Sequence, residues 1–313
     1  MSQISRVNAK RKKKRGCLFR LLIMFCIISM GVVVFFWKVY SDLGDTTKKI
    51  YKSIETEQVR TEVVNVQTKK PLSILFLGVD TGDLGRTEQG RSDAMMVLTI
   101  NPNKNKSTLV SIPRDTRSEI IGNGTVDKIN HAYAFGGVAM SVNTVQNLLN
   151  IPIDYYVEVN MQGLREIIAA LGSVEVVPNN TFTQDGYSFT QGISTQLDYN
   201  SVLPFVRNRY SDSDYGRQER HRLVIQAILN KVASLESIMK YSEILASLQN
   251  NMQTNLTFQD IQGLFFDYRS SLGNLQQIQL KGEGTTIDGI YYNIPDENQY
   301  LEVTKQLRSE LEL

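Results

Sequence analysis

The sequence predicts an α/β protein, a three-layer α-β-α sandwich with a central mixed sheet, preceded by one transmembrane helix. Three observations predict this fold. Short apolar runs of strand length alternate with amphipathic runs of helix length after residue 71, which is typical of strands covered by helices on both faces. No repeat and no linker divides residues 71–313, so one domain is expected. A basic run and then an apolar stretch precede that domain.

The N-terminal segment predicts a membrane anchor. Residues 10–15 are all lysine or arginine, and residues 21–37 carry no charge. The alternative is a cleaved signal peptide, but the apolar core is long for one and no small-x-small cleavage site follows Tyr40. Because basic flanks stay in the cytoplasm, we expect a cytoplasmic tail over residues 1–17, a single-pass anchor over residues 18–40 and an extracellular remainder.

The part of the chain after the anchor is acidic. Residues 1–40 hold nine Lys/Arg and no acidic residue, so residues 41–313 carry 25 Lys/Arg against 32 Asp/Glu, a net charge of −7. This balance argues against a general nucleic-acid-binding surface. Both cysteines, Cys17 and Cys26, lie within residues 1–40, and the chain has only two histidines. A His/Cys zinc site is therefore excluded, and any metal is expected to be a hard cation held by oxygen.

The elements of the domain follow from periodicity. Residues 41–70 are polar and charged and predict a partly helical stalk before a domain at 71–313. Strands are expected at 73–79, 94–100, 107–112, 153–159 and 173–177, with an edge strand at 275–280. Helices are expected at 138–149, 161–171, 220–235, 241–248, 258–264 and 297–311. Residues 180–200 predict a loop or hairpin over one face of the sheet.

An arginine-rich segment is the first candidate site. Residues 207–222 contain five arginines and no lysine, and the guanidinium fork suits bidentate capture of phosphate or carboxylate. Asp214 is placed to cap a helix that begins directly after it. Arg217, Arg220 and His221 then lie at helical spacing on one face. The alternative is a surface salt-bridge network with the acidic residues of the same segment.

Three further polar positions adjoin predicted strands. Asp80 follows one strand, Asp93 precedes a second and Arg114-Asp115 follows a third. Ligands of open α/β sheets bind outside strand ends, so these side chains are expected to converge. Asp80 and Asp93 are candidate ligands for Mg²⁺ or Mn²⁺, with substrate phosphate and water completing the shell. The candidate anion-binding set is Arg91, Arg114, Arg207, Arg209, Arg217 and Arg220. A turn residue at Asp80 and an ion pair at Asp93 are the structural alternatives.

Taken in order, these motifs resemble the LytR–CpsA–Psr family. The fragments are Leu77-Gly-Val-Asp80, Arg91-Ser-Asp-Ala-Met-Met96, Ser111-Ile-Pro-Arg-Asp-Thr116, Lys128-Ile-Asn-His-Ala-Tyr133, Ile153-Asp-Tyr-Tyr-Val157 and Asp214-Tyr-Gly-Arg-Gln-Glu-Arg220. Each fragment is modest alone, but six in the family's order make a specific match. The resemblance covers residues 72–235 closely and residues 236–313 more loosely.

The resemblance implies a fold like that of this family and a ligase of Gram-positive envelopes. Such proteins transfer a glycopolymer from undecaprenyl diphosphate to a peptidoglycan hydroxyl, the C6-OH of N-acetylmuramic acid, and release undecaprenyl phosphate. They use Mg²⁺ and arginines and enclose the prenyl tail in an apolar pocket. Carried over by motif, Asp80 and Asp93 would ligate the metal. Contacts to the diphosphate would come from Arg91, Arg114, Arg207, Arg209 and Arg217.

The resemblance also suggests individual roles. Arg114, Arg217 and Asp214 are the expected catalytic residues, with Asp214 as candidate base and Asp115 as the next choice. Arg220 supports the diphosphate site. His221 stands where the family commonly has glutamine, and it would donate to phosphate or add charge below about pH 6.5. Two side interpretations complete the set, a structural role for His131 and a surface position for Arg222.

Three other functions remain open from sequence. A lipid-diphosphate phosphatase or pyrophosphatase would use the same site, with water replacing the sugar hydroxyl. A membrane-bound transcriptional regulator, a label historically attached to the family, would need the acidic domain inside the cell. A non-catalytic envelope-binding module is the third. The polymer itself is also left open, since wall teichoic acid, capsule and a rhamnose-rich polysaccharide are all compatible with the sequence.

Overall fold

A computed structural model describes residues 48–60, 62–81, 89–209, 213–232 and 250–313. Its strands are β1 (Leu72–Val79), β2 (Ser92–Asn101), β3 (Lys106–Ile112), β4 (Arg117–Ile120), β5 (Thr125–Lys128), β6 (Tyr155–Asn160), β7 (Val174–Val176), β8 (Phe182–Gln184), β9 (Tyr187–Phe189), β10 (Thr195–Leu197), β11 (Met252–Thr254), β12 (Leu275–Gln279), β13 (Gly282–Ile287) and β14 (Ile290–Pro295). Its helices are α1 (His131–Leu149), α2 (Met161–Leu171), α3 (Val202–Arg207), α4 (Asp214–Val232), α5 (Phe258–Asp267), α6 (Arg269–Leu272) and α7 (Glu297–Glu310).

The central sheet is mixed, as the sequence predicts. It has six strands in the order β11-β6-β1-β2-β3-β12. The β1, β2 and β3 strands form an antiparallel meander, whereas β6 joins β1 and β12 joins β3 in parallel. The predicted edge strand at 275–280 is β12, which confirms its position at the edge. The last residues of β1 pair with the first residues of β2, so the residues directly after β1 and at the start of β2 share one end of the sheet.

Helices cover both faces of the sheet, which confirms the layered sandwich. Successive strand residues point to opposite faces, and β1 shows this division. Leu75 and Leu77 belong to a core with α1 and α7, whereas Ile74 packs on the opposite side with α5 and α6. A third cluster joins α2, α3 and α4 to the small strands β7 to β10. The buried apolar side chains on both faces explain why these strands are apolar at nearly every position.

The domain begins before residue 71. Residues Thr46–Leu313 form one compact unit, and Ile50, Val64 and Val66 are buried in it. Tyr51 also forms a β-bridge with Thr254. The segment expected to be a stalk therefore packs on the domain, because its few apolar side chains cover the sheet and helices that follow.

Three further elements differ from the sequence prediction. The strand predicted at 173–177 is β7, and it pairs with β10 in a separate two-stranded sheet. Helix α1 begins at His131 rather than 138, with non-helical dihedral angles at Gly136 and Gly137 where it kinks. Helix α4 begins at Asp214, as the placement of Asp214 predicts and earlier than the start at 220 that the apolar pattern predicts. The hairpin expected within 180–200 is confirmed as β8 and β9.

The predicted anchor at 18–40 and the predicted helix at 241–248 lie outside the described residues. Within the part of the chain that is described, no helix combines the length and the apolar character needed to cross a membrane. The transmembrane anchor stays a prediction.

Candidate active site

Asp80 and Asp93 lie at the same end of two neighbouring strands, as the sequence predicts. The backbone N–H of Asp80 donates to the carbonyl of Arg91 across the turn, at 3.2 Å. The Asp80 Oδ1 atom accepts a hydrogen bond from the Arg91 backbone N–H at 2.7 Å. A Cβ atom at residue 90 would lie 1.9 Å from this Oδ1, so Gly90 leaves the space that the Asp80 carboxylate occupies.

Arg114 connects carboxylates from three segments. Its Nη1 atom lies 2.6 Å from Oδ1 of Asp93, and its Nε atom lies 3.6 Å from Asp115 Oδ2 and 3.7 Å from Asp214 Oδ1. Arg209 approaches the second oxygen of Asp93, with Nη2 to Oδ2 at 3.4 Å. The structure therefore brings five sequence-predicted residues into one network of charges, which we call the Arg114 network.

The electrostatics of the network keep its carboxylate at Asp93 ionised. Burial alone would raise the pKa of Asp93, but the charge and hydrogen bond of Arg114, with Arg217 and Arg209, hold that pKa below its usual range. Burial opposes the charge of Arg114, yet the same Asp93 contact raises the pKa of the guanidinium. Each member of the pair therefore stabilises the charged form of the other.

Arg217 joins the network through Asp214 and is more buried than Arg114 and Arg209. Its side chain is 3 % exposed, and Nη2 lies 2.5 Å from Asp214 Oδ1. Burial and the nearby Arg114 lower the pKa of Arg217 despite Asp214. The buried Nε atom has no hydrogen-bond partner among the described residues. An anion placed beside Arg217 and Arg114 would supply the missing negative charge and the missing acceptor.

The other predicted arginines have different positions. Arg220 is fully buried, donates from Nη2 to the carbonyl of Asn208 at 2.7 Å and lies over the Phe182 ring, 5.0 Å from its centroid. These contacts hold the segment that carries Arg209. Arg207 is the last residue of α3. Arg91 is exposed and adjoins the site through its backbone contacts to Asp80.

Of the two roles predicted for His221, burial contradicts the gain of charge, and donation to phosphate stays a prediction. Arg217, Arg220 and His221 do share a buried face of α4, but burial, and then the charge of Arg217, lower the pKa of His221 to about 4. The expected gain of charge below about pH 6.5 is therefore wrong for the folded protein. The Nε2 atom lies 3.2 Å from the carbonyl of Val206, and the side chain also lines an apolar cavity.

Two remaining interpretations concern the burial of Arg222 and the hydrogen bond of His131. Arg222 is 6 % exposed and donates to Ser111 Oγ and Gln279 Oε1, each at 3.3 Å. Its expected surface position is wrong, because α4 packs this side chain between β3 and β12. His131 has the structural role that was predicted, with Nδ1 2.7 Å from Asp127 Oδ2.

An apolar cavity of about 320 Å³ opens from the site end of the sheet. It is bounded by β1, β2 and β6 on one side and by α2, α4 and α5 on the other. Along β2 it extends from Ala94, next to Asp93, to Ile100, which is about 20 Å at strand spacing. Helix α4 thus supplies a cavity wall, whereas α1 is part of the core on the opposite face of the sheet.

The donor set suits only one kind of metal site. Within the described ranges, no group of three or more His, Cys, Asp or Glu side chains could hold an ion. Asp80 and Asp93 provide two ionisable carboxylates at one strand end, which matches the one or two carboxylates by which Mg²⁺ is held beside substrate phosphates. The residues present therefore fit a Mg²⁺ ion bound together with a phosphate-bearing ligand.

Sequence reasoning missed three contributors. Gln218 donates to Asp214 Oδ2 at 2.8 Å, Lys128 Nζ lies 2.9 Å from Asp115 Oδ1, and the Tyr215 hydroxyl contacts Gly282 of β13. Lys128 begins one of the motifs quoted above and ends β5, shortly before α1, and Gln218 adjoins Arg217. Their places in those motifs were the signal that could have identified them.

Comparison with known protein families gives one family match. A sequence model described as the LytR_cpsA_psr family matches residues 33–309, which is most of the chain.

Individual relatives agree with this match. The chain is 45 % identical over 305 residues to an Enterococcus faecalis protein named polyisoprenyl-teichoic acid–peptidoglycan teichoic acid transferase TagU, covering 97 % of this chain and 99 % of that one. A solved structure described as TagT bound to LIIa-WTA is 32 % identical, with a TM-score of 0.70. The match covers 83 % of this chain and 97 % of that chain. An Enterococcus faecalis structure described as a transcriptional regulator is 40 % identical, with a TM-score of 0.72, and covers 80 % and 91 %.

Proposed function

Because this chain belongs to the LytR–CpsA–Psr family, we propose that it is a phosphotransferase of the cell envelope that attaches teichoic acid to peptidoglycan. The donor is a glycopolymer linked to undecaprenyl diphosphate, and the acceptor is a peptidoglycan hydroxyl, the C6-OH of N-acetylmuramic acid. The products are a phosphodiester and undecaprenyl phosphate. Teichoic acid is favoured over capsule polysaccharide because the relative reported above is named for teichoic acid transfer.

The observation that carries this proposal is the position of the Arg114 network at one end of the apolar cavity. Ala94 lines the cavity and Asp93, its neighbour, accepts from Arg114. A diphosphate needs cations and hydrogen-bond donors, whereas an isoprenoid tail needs apolar surface. A lipid diphosphate is a ligand that uses both halves of this site at once.

The chain's own residues supply the charge stabilisation. Arg114 and Arg217, with Arg209, neutralise the diphosphate and stabilise the negative charge that develops on the leaving group. The acceptor oxygen attacks the phosphorus that bears the glycan. The bond from that phosphorus to the bridging oxygen breaks, and undecaprenyl phosphate leaves with the bonding electrons. The energy of the diphosphate bond drives the transfer, so no nucleotide is required.

The proton of the acceptor hydroxyl requires a base. Asp214 and Asp115 are the candidates, because both carboxylates lie close to Arg114, at 3.7 and 3.6 Å from its Nε. Asp214 also accepts from Arg217 and Gln218, whereas Asp115 is paired with Lys128. Asn variants of the two residues distinguish them, since loss of the base removes the ionisation of that group from the pH profile of kcat.

A Mg²⁺ ion, or Mn²⁺ in its place, would be held by Asp80 and Asp93. When bound, it would neutralise charge on the diphosphate oxygens. Chelation with EDTA should then abolish transfer, and Asp80→Asn should raise the Mg²⁺ concentration needed for half-maximal rate. A rate that is unchanged by EDTA would remove the metal from the proposal.

We place this site outside the cell, on a single-pass anchor with a cytoplasmic N-terminus. The argument is the basic run before the apolar segment 18–40 and the acidic chain after it. A reporter fused after Leu313 should be active only on the external side. A cytoplasmic reporter would instead support the transcriptional regulator.

The direct test is product analysis with the purified full-length chain in nonionic detergent. The chain is mixed with Mg²⁺, a synthetic undecaprenyl-diphosphate glycan and peptidoglycan oligosaccharides, and the products are identified by mass spectrometry. A glycan joined to the oligosaccharide by a phosphodiester supports transfer. Free glycan phosphate alone would support the hydrolase. Full activity of an Asp93→Ala, Arg114→Ala double variant would contradict this assignment of the site.

A further inference from the structure

The β13–β14 hairpin lies beside the Arg114 network, and the proposed function leaves it unused. Its strands pair from Gly282↔Pro295 to Ile287↔Ile290. The connecting residues Asp288 and Gly289 both have positive φ, 51° and 81°, as in the tight turns that suit the twist of a hairpin. The strand pairing and the turn therefore define a regular two-stranded hairpin.

Four hydrogen bonds, three to the Tyr215 hydroxyl and one to the Asp115 carbonyl, tie the base of the hairpin to the network. The Tyr215 hydroxyl accepts from the backbone N–H of Gly282 at 3.0 Å and from Nδ2 of Asn293 at 2.6 Å, and it donates to the carbonyl of Gly282 at 3.0 Å. The backbone N–H of Asn293 donates to the carbonyl of Asp115 at 2.8 Å. Tyr215 directly follows Asp214, so the hairpin is fixed to the two chain segments that carry the Asp115 and Asp214 carboxylates.

Tyr291 is the residue that this hairpin presents. Its side chain is 51 % exposed, and its ring lies over Gly284, where a Cβ atom would be 2.6 Å from the Tyr291 hydroxyl and 3.0 Å from the ring. Glycine at 284 therefore leaves room for the hydroxyl end of the Tyr291 ring against the opposite strand. Lys128 Nζ is 5.9 Å from the ring centroid and 2.9 Å from Asp115 Oδ1. An aromatic face, an ammonium and a carboxylate thus adjoin one another.

The direction of the reaction assigns this surface to the acceptor rather than to the donor. In phosphoryl transfer the attacking and leaving oxygens lie roughly in line. The leaving undecaprenyl phosphate is on the cavity side of Arg114, beyond Asp93. Lys128 is the last residue of β5, three positions before α1 begins at His131, and α1 covers the face of the sheet opposite the cavity. We therefore assign Lys128, and Asp115 with which it pairs, to the side of Arg114 away from the cavity.

We infer that Tyr291, Lys128 and Asp115 form the subsite that binds the peptidoglycan acceptor, with a sugar ring stacked on the Tyr291 face. This inference rests on the proposed function for the identity of the acceptor. A sugar ring has an apolar C–H face that packs on an aromatic ring, and hydroxyls that bond to charged groups at its edge. Tyr291 is on this view a specificity residue, and it takes no part in neutralising the diphosphate.

The test compares Tyr291→Ala with two matched variants of the full-length chain. Tyr291→Phe keeps the stacking surface, and Ile290→Ala removes an exposed side chain from the opposite face of the same strand. Thermal unfolding of each variant checks that the hairpin change leaves the domain folded. Binding of peptidoglycan oligosaccharides without donor is measured by calorimetry, and KM for acceptor and for donor is measured in the transfer assay.

We expect Tyr291→Ala to weaken oligosaccharide binding and to raise the acceptor KM by about tenfold or more, as loss of an aromatic anchor does elsewhere. The donor KM should stay unchanged, and Tyr291→Phe and Ile290→Ala should bind as the unmodified chain does. Equal binding by Tyr291→Ala, or no binding by the unmodified chain, would overturn the inference. The binding measurement needs no turnover, so an absent phosphodiester product would count against the proposed function alone.

Discussion

Arg114 Nη1 lies 2.6 Å from Oδ1 of Asp93, a contact that joins the segment after β3 to the start of β2. The pair marks the boundary between the two halves of the site, because Asp93 adjoins the cavity-lining Ala94 and Arg114 reaches towards Asp115. Each residue raises the stability of the other's charged form. The charge needed beside a diphosphate is therefore held in place before any ligand binds.

Arg114→Ala should lower kcat of transfer by about 10² to 10³-fold, because it removes a cation aimed at the charge of the transition state. The control is Arg308→Ala. Arg308 lies on α7, away from the network, and donates to the carbonyl of Asn150. Steady-state rates of phosphodiester formation decide the comparison. Equal losses in the two variants would show that arginine removal acts through general damage to the fold.

Arg222→Met and Arg217→Met should separate stability from catalysis on one helix. Arg222 is buried between Ser111 and Gln279, so its loss should cost about 1 to 3 kcal/mol of unfolding free energy and leave kcat of the folded enzyme unchanged. Arg217→Met should lower kcat by about 10²-fold or more. Chemical denaturation and initial rates measure the two effects, and a large loss of kcat in Arg222→Met would contradict this division.

His221 should make the domain less stable in acid. Its pKa is about 4 in the folded state against about 6.5 unfolded, so the unfolded state binds the proton first as the pH falls. The stability is fully present above about pH 6.5 and is lost towards pH 4, by up to roughly 3 kcal/mol.

His221→Gln should flatten this part of the curve while keeping a donor for the carbonyl of Val206. Denaturant unfolding from pH 4 to 8 is the measurement. The same slope in the variant would show that other groups cause the acid sensitivity.

Filling the cavity should impair use of a long lipid tail only. Ile228 lines the cavity from α4, and Ile228→Trp should raise KM for the undecaprenyl donor by about tenfold without changing KM for a donor with a short isoprenoid chain. Leu301→Trp, at a position 55 % exposed on α7, is the control. If both donors are affected alike, the cavity does not hold the tail.

The local pattern of the sequence predicted most of the sheet and the positions of the polar residues at its end. Asp80, Asp93 and Arg114 follow or precede apolar runs, so strand periodicity alone placed them at strand ends on one side of the sheet. The network between them required only that β1, β2 and β3 be neighbours. These strands follow one another directly in the chain, which makes adjacency the expected outcome.

What the sequence could not give depends on distant partners. Arg222 is buried because Ser111 and Gln279 come from strands far away along the chain, and helical spacing carries no information about them. His221 loses its charge through the burial that tertiary packing imposes. The position of β7 outside the central sheet has the same origin, since an apolar alternation predicts a strand but does not identify its partner.

The most direct test of transfer is a single turnover in ¹⁸O-labelled water with the full-length chain, the lipid-linked glycan and peptidoglycan oligosaccharides. Attack by the acceptor hydroxyl should give a glycan–oligosaccharide phosphodiester with no ¹⁸O at phosphorus, in step with release of undecaprenyl phosphate. Mass spectrometry reads both products. Glycan phosphate that carries ¹⁸O, with no phosphodiester formed, would contradict the account and identify water as the acceptor.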